Sequence, residues 1–127
     1  MKSRQVRSTE AHFEEYRRWC EFWKIEFGCG EWIMYVRWER MSGIADCFVN
    51  ETNKEFTLRF KKGLIPREII ENLKWYAFHE VGEKVLWKIG SMAEKGRAYP
   101  ENEVTDERHA ILNIWENMMR KHLKEER

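Results

Sequence analysis

The sequence predicts an α+β fold, and three features of its pattern carry the prediction. A helical stripe occupies the first quarter of the chain, three short segments with the character of strands follow it, and two further helical stripes complete it. With 127 residues, of which 43% are hydrophobic and 14% aromatic, the chain can bury one core. We expect a flexible N-terminus over residues 1–8 and a single domain over residues 9–124.

The first predicted element is an N-terminal helix from Thr9 to about Phe27. Thr9 is a suitable N-cap, and Gly28 and Gly30 end the helix because glycine readily adopts the backbone angles of a helix terminus. The apolar residues recur at spacings of three and four: Phe13, Tyr16, Trp19, Cys20, Trp23 and Phe27.

Three strands are predicted next, over residues 32–38, 44–49 and 55–60. The first alternates Trp32, Met34, Val36 and Trp38 with Ile33, Tyr35 and Arg37 and is rich in aromatic and branched residues, and the third alternates Phe56, Leu58 and Phe60 with Thr57 and Arg59. The turn between the last two contains Asn53, a residue that suits a tight connection. We therefore expect a three-stranded antiparallel sheet in the order of a meander.

Two helices complete the prediction. The first starts with Pro66 in its opening turn, runs from Arg67 to about Glu94 and has apolar side chains on nearly every face, which is typical of a buried helix. A loop over residues 97–103 follows, and Thr105 caps a C-terminal helix. The predicted apolar stripe of that helix consists of Ala110, Ile111, Ile114 and Met118.

Charge and cysteine content restrict the function. The net charge of +1, from 23 basic and 22 acidic residues, provides no field for a polyanion, so nucleic acid is not the favoured partner. The three cysteines form no C-x-x-C pair, which favours a reducing cytoplasm over a disulfide framework. No apolar stretch approaches the roughly 20 residues that span a bilayer, so no membrane partner is expected.

The residues that could carry chemistry lie in the middle of the buried helix. His79 and Glu83 are four residues apart and therefore face the same way, with Glu80 beside them. Burying an imidazole and two carboxylates is costly unless water, a cation or a metal ion compensates them. A bound divalent metal ion, with His79 and Glu83 as ligands, would satisfy all three groups, whereas water or a cationic partner is the alternative, because His-Glu-x-x-Glu also occurs by chance on many helices.

The spacing is that of the H-E-x-x-H motif, in which two histidines bind the metal and the glutamate acts as general base. Glu83 replaces the second histidine, and a carboxylate remains a legitimate ligand. A third ligand is expected from the C-terminal helix, through Glu107 or His109. Helical projection favours Glu107, which lies on the predicted apolar stripe, over His109.

The chain from Thr9 to Met119 resembles the small metallopeptidases of tailed bacteriophages, relatives of the gluzincin-like (minigluzincin-like) and ImmA-type peptidases. In the pattern, a helix end at residues 27–28 is followed by a Trp-bearing strand at 31–33, and a strand at 56–60 precedes the active-site helix at 77–86. The acidic start of a final helix at 106–112, followed by residues 115–117, completes it. The resemblance implies His79 as first ligand, Glu80 as general base, Glu107 as third ligand and zinc as the metal. This chain departs from the pattern at position 83, where a complete motif has a histidine and this sequence has Glu83.

Two functions follow from these observations. The first is metal-dependent hydrolysis of a peptide or protein substrate, with Glu80 as the base that deprotonates a metal-bound water. The alternative is a catalytically inactive pseudo-peptidase that serves as a protein-interaction module. Whether the chain is an enzyme stays open at this stage, because the motif is degenerate at Glu83.

Overall fold

The α+β class and the predicted order of elements are confirmed in a computed structural model of the chain. The structure describes residues 4–96, 109, 111–113, 115–117 and 119–121. The predicted loop over 97–103 and the predicted cap Thr105 lie outside the described residues. The chain divides into two compact units, residues 1–84 and 85–127, and the single domain expected over 9–124 stays a prediction. Among the described residues, no helix combines the length and apolar character needed to cross a membrane.

A short strand occupies part of the segment that was expected to be flexible. Strand β1 (Gln5–Arg7) pairs antiparallel with strand β5 (Leu64–Pro66), and Arg67 N donates a hydrogen bond to Arg4 O at 2.8 Å. Ser8, directly after β1, is buried. Three residues are too few to display an alternating pattern, so this pairing could not be predicted from the sequence.

Helix α1 (Glu10–Glu26) follows the prediction closely. Thr9 is its N-cap: Thr9 Oγ1 accepts a hydrogen bond from His12 N at 3.2 Å, and His12 Nδ1 accepts one from Thr9 N at 3.1 Å. The chain leaves the helix at Gly28, whose φ of 73° is accessible to glycine at little cost. The residues that α1 buries completely are Tyr16, Cys20 and Trp23.

The three-stranded sheet is mixed, in contrast to the antiparallel meander that was predicted. Its strands are β2 (Ile33–Glu39), β3 (Ala45–Asn50) and β4 (Glu55–Lys61), in the order β2-β4-β3. Strands β3 and β4 form the expected antiparallel hairpin. Strand β2, however, pairs parallel to β4, with Ile33 opposite Glu55.

The connection between β2 and β3 explains the parallel pairing. Lys61 N, at the end of β4, donates to Ile44 O at 2.8 Å, and Lys62 N donates to Glu39 O at 2.7 Å. The segment 40–44 therefore passes the end of β4 and places β2 and β3 on opposite sides of it. Alternation predicts which face of a strand is buried but not which strand is its neighbour, so the error lay in the assumed order.

The predicted buried helix is broken once. Helix α2 (Arg67–Glu71) begins after Pro66, and helix α3 (Leu73–Gly96) begins after Asn72, whose φ and ψ of −131° and 38° are not helical. Asn72 Nδ2 donates to Glu68 O at 2.9 Å, an example of a short polar side chain competing with the helix for backbone partners. Over residues 73–84 the expectation of a largely buried helix is confirmed.

In the second unit, residues 109, 111–113, 115–117 and 119–121 are helical, as predicted. The buried side differs from the predicted stripe. Leu112 is fully buried, whereas Ile111, which the stripe included, is 41% exposed. Apolar residues occupy both positions, so the sequence pattern alone could not fix the orientation of the helix.

Candidate metal centre

Aromatic packing positions the part of α3 that carries the motif. Phe78, directly before His79, is fully buried and packs edge-on against Trp23 of α1, with 4.9 Å between ring centroids. Trp23 Nε1 also donates a hydrogen bond to Lys74 O at 2.8 Å, one turn earlier on α3. These contacts fix the rotation of α3 and hence the direction in which the motif side chains point.

His79 and Glu83 meet on one side of α3, as their spacing predicted. His79 Nε2 lies 3.4 Å from Glu83 Oε2, and the two side chains are 23% and 18% exposed. Two atoms that each lie about 2.1 Å from a tetrahedral zinc ion are about 3.4 Å apart. The observed separation therefore fits two ligands of one ion.

Glu80 lies on the inner side of the same helix and is only 8% exposed. Burial raises the pKa of Glu80 from an ordinary 4.5 to about 7; the nearby His79 lowers this pKa, and the carboxylates of Glu83 and Asp46 raise it. A carboxyl group with a pKa near neutrality can exchange a proton under physiological conditions, as a general base must.

Sequence reasoning missed a group of titratable side chains whose pKa values are raised in part by the charge of Glu80. Burial is the main cause that raises the pKa of Tyr16, Cys20, Cys47 and Tyr76, and in all four cases the charge of Glu80 raises it further. Because these residues come from α1, β3 and α3, only the packing of the elements brings them together. We name this set of five the Glu80 cluster.

One atom of the Glu80 cluster stands out among the described buried side-chain atoms. Tyr16 Oη is fully buried and makes no hydrogen bond of acceptable geometry, although the Cys20 thiol is near enough to raise the pKa of Tyr16.

The structure describes only one of the two candidates for a third ligand. Glu107 lies outside the described residues, and His109 is an exposed residue of the C-terminal helix. The projection that favoured Glu107 relied on a stripe through Ile111, which is exposed, while Leu112 is the buried residue. At 100° per residue, His109 lies about 60° from the buried Leu112. The choice between Glu107 and His109 therefore stays a prediction.

Lys84, directly after Glu83, is held by aromatic rings. Its Nζ lies 3.7 Å from the ring centroid of Trp32 and 5.8 Å from that of Phe56, and it donates a hydrogen bond to Cys29 Sγ at 3.6 Å. This places a cationic side chain of α3 against the start of β2 and against β4. The contacts add to those that fix the rotation of α3.

No family model matches the chain, and no curated protein or solved structure matches it either.

Proposed function

We propose that this protein binds a divalent metal ion through His79 and Glu83 and hydrolyses a peptide bond with Glu80 as general base. The observation that carries the proposal is the 3.4 Å separation of His79 Nε2 and Glu83 Oε2 beside the buried carboxyl of Glu80. Three ionisable groups on one arc of a buried helix are costly to keep, and a bound cation compensates that cost.

The chemistry assigns a separate role to each residue. A metal ion bound at such a site lowers the pKa of a water molecule and polarises a carbonyl oxygen. His79 and Glu83 hold and orient that ion, and Glu80 takes the proton that the attacking water loses. Burial supports this role of Glu80, because it brings the pKa of the carboxyl to about 7.

The remaining ligand is proposed from the C-terminal helix, as either Glu107 or His109. With Glu107 the set is one histidine and two carboxylates, a harder set that suits manganese or iron as well as zinc. With His109 it is two histidines and one carboxylate, a combination typical of catalytic zinc. Zinc is the default in both cases, and the proposed location is the cytoplasm, in the host cell if the chain is phage-encoded.

A second candidate function, the inactive pseudo-peptidase that binds a protein partner, also has an observation in its favour. When His79 is protonated, it forms an ion pair with Glu83, so these two groups can satisfy each other without a metal. Large apolar side chains are also exposed on strands of the mixed sheet, namely Ile33, Tyr35 and Phe48.

The experiment that tests the proposal is elemental analysis of the tag-free protein together with a His79→Ala variant. A matched control is His12→Ala, which removes a histidine of α1 far from the motif in sequence. We expect stoichiometric transition metal in the unmodified chain and the control, and none in His79→Ala. Glu107→Ala and His109→Ala then identify the third ligand by which of them loses the metal.

Activity is tested separately with a mixture of unstructured peptides. Metal-dependent cleavage that Glu80→Gln abolishes while metal content stays unchanged supports the peptidase. Absence of metal in every sample, with no change in thermal stability on adding zinc, contradicts the proposal and leaves the interaction module.

A further inference from the structure

Strand β2 lies at one edge of the mixed sheet and, within the part of the chain that the structure describes, pairs on one side only, with β4. Ile33 N donates to Lys54 O at 3.0 Å, and Lys62 N donates to Glu39 O at 2.7 Å. Because the backbone groups of successive residues point to opposite sides of a strand, residues 33, 35, 37 and 39 all face β4. The N–H and C=O groups that point to the open edge belong to Met34, Val36 and Trp38.

The open edge of β2 lacks the breaks that usually protect a sheet edge from other strands. The strand contains no proline or glycine, and its register with β4 runs without a bulge from Ile33 to Glu39. Beside this edge, the side chains of Ile33 and Tyr35 are 51% and 41% exposed. A long, regular and partly apolar edge is a template for a further strand.

A second copy of β2 fits this edge because the strand is complementary to itself. When Val36 lies opposite Val36 of the second copy, antiparallel pairing also sets Met34 opposite Trp38, so every outward N–H and C=O group gains a partner. On the outer face the same register sets Tyr35 opposite Arg37 of the second copy, where a guanidinium can contact an aromatic ring. A shift of the register by two residues leaves one of the outward residues without a partner in β2.

We propose that this protein forms a two-fold symmetric dimer in which the β2 strands of two copies pair antiparallel about Val36 and join the two sheets into one. The net charge of +1 produces little repulsion between two copies. An extended segment of another protein can form the same backbone bonds, but the symmetric pairing of Tyr35 with Arg37 is specific to a second copy. The dimer does not depend on the proposed function, because no residue of β2 is a proposed metal ligand or base.

The test compares two lysine substitutions on the outer face of the sheet. Tyr35→Lys sets a second cation opposite Arg37 of the other copy, whereas Phe48→Lys adds the same charge at an exposed position of β3, on the far edge. We expect the unmodified chain and Phe48→Lys to sediment as dimers, and Tyr35→Lys to raise the dimer dissociation constant about tenfold or more. Adding Arg37→Glu to Tyr35→Lys restores opposite charges and should restore the dimer. Analytical ultracentrifugation over a series of concentrations measures all four proteins, and far-ultraviolet circular dichroism verifies that each is folded.

Amide hydrogen exchange tests the edge residue by residue. The amides of Met34, Val36 and Trp38 should be protected at high protein concentration and lose protection on dilution, whereas those of residues 35 and 37, which face β4, should stay protected. A monomeric chain, or outward amides whose exchange does not depend on concentration, overturns the proposal. So does a dimer that Phe48→Lys weakens as much as Tyr35→Lys, or a dimer that Arg37→Glu fails to restore.

Discussion

Glu83 Oε2 lies 3.4 Å from His79 Nε2, one helical turn apart on the same side of α3. If this pair binds the metal, changing Glu83→His supplies the more nitrogen-rich ligand set that zinc prefers over harder cations. We expect the zinc dissociation constant to fall by about tenfold or more, a change of about 1.4 kcal/mol or more. Glu83→Gln should weaken binding. Isothermal titration calorimetry on the metal-free protein measures both, and equal affinity in all three proteins would remove Glu83 from the site.

A pH dependence of stability follows from the burial of Glu80. Its folded-state pKa of about 7 lies above the ordinary value of 4.5, so the folded protein binds the proton more tightly than the unfolded chain. This stabilisation is complete below pH 4.5 and is lost as the pH rises through about 7. The difference between the folded-state and unfolded-state pKa of Glu80 corresponds to about 3 kcal/mol in the free energy of unfolding, because each unit of pKa is equivalent to about 1.4 kcal/mol.

The variant Glu80→Gln removes that titration. We expect the metal-free variant to be more stable than the unmodified protein at pH 8. Between pH 5 and 8 its free energy of unfolding should change less with pH, and the two proteins should differ in this change by up to about 3 kcal/mol. Urea denaturation at a series of pH values measures it. Glu15→Gln, at an exposed position of α1, is a control for the loss of one charge. Parallel curves for unmodified and Glu80→Gln protein would contradict the raised pKa.

Ser8 connects three parts of the first unit through one hydroxyl. Ser8 Oγ donates to Lys61 O at 2.7 Å and accepts hydrogen bonds from Trp38 Nε1 at 3.1 Å and Gly63 N at 3.3 Å. Ser8→Ala removes all three bonds, and we expect it to cost about 1–3 kcal/mol in the free energy of unfolding. Ser42→Ala, at an exposed position of the β2–β3 connection, is the control. A similar, small change in both variants would show that Ser8 contributes no net stability.

Much of the fold could be predicted because local signals decided it. Thr9 caps the start of α1, and the chain leaves the helix at Gly28. The alternation of residues 55–60 correctly indicated which three apolar side chains of β4 are buried. The side of the sheet on which β2 lies could not be predicted, because residues 40–44 carry no pattern that reveals where the chain crosses. The break between α2 and α3 at Asn72 could not be predicted either, because the apolar periodicity continues on both sides of this residue.

The candidate site was predictable only along one helix. The spacing of His79, Glu80 and Glu83 placed them on one arc, since helical periodicity acts over a single turn. Tyr16 and Cys47 join Glu80 through tertiary packing, and their own elements give no reason to connect them with the motif. Glu107 stays a prediction.

The contact between α1 and α3 should control both stability and metal binding. Trp23 is fully buried, packs against Trp75 and Phe78 at centroid distances of 5.3 and 4.9 Å, and precedes the end of α1 by one turn. Trp23→Ala should cost about 3–5 kcal/mol, the usual range for removing a large aromatic side chain from a core. Phe22→Ala, at the adjacent 37% exposed position, should cost much less.

A milder variant separates folding from positioning. Trp23→Phe keeps an apolar ring but loses the hydrogen bond from Nε1 to Lys74 O, so we expect a folded protein of lower stability in which α3 is held less firmly. Because Phe78 links Trp23 to the motif, zinc affinity should fall together with the unfolding free energy. On the same samples, far-ultraviolet circular dichroism measures the helix content, urea denaturation the free energy of unfolding, and calorimetry the zinc affinity. Unchanged zinc affinity in a destabilised Trp23→Phe protein would show that α1 supports the fold without orienting His79.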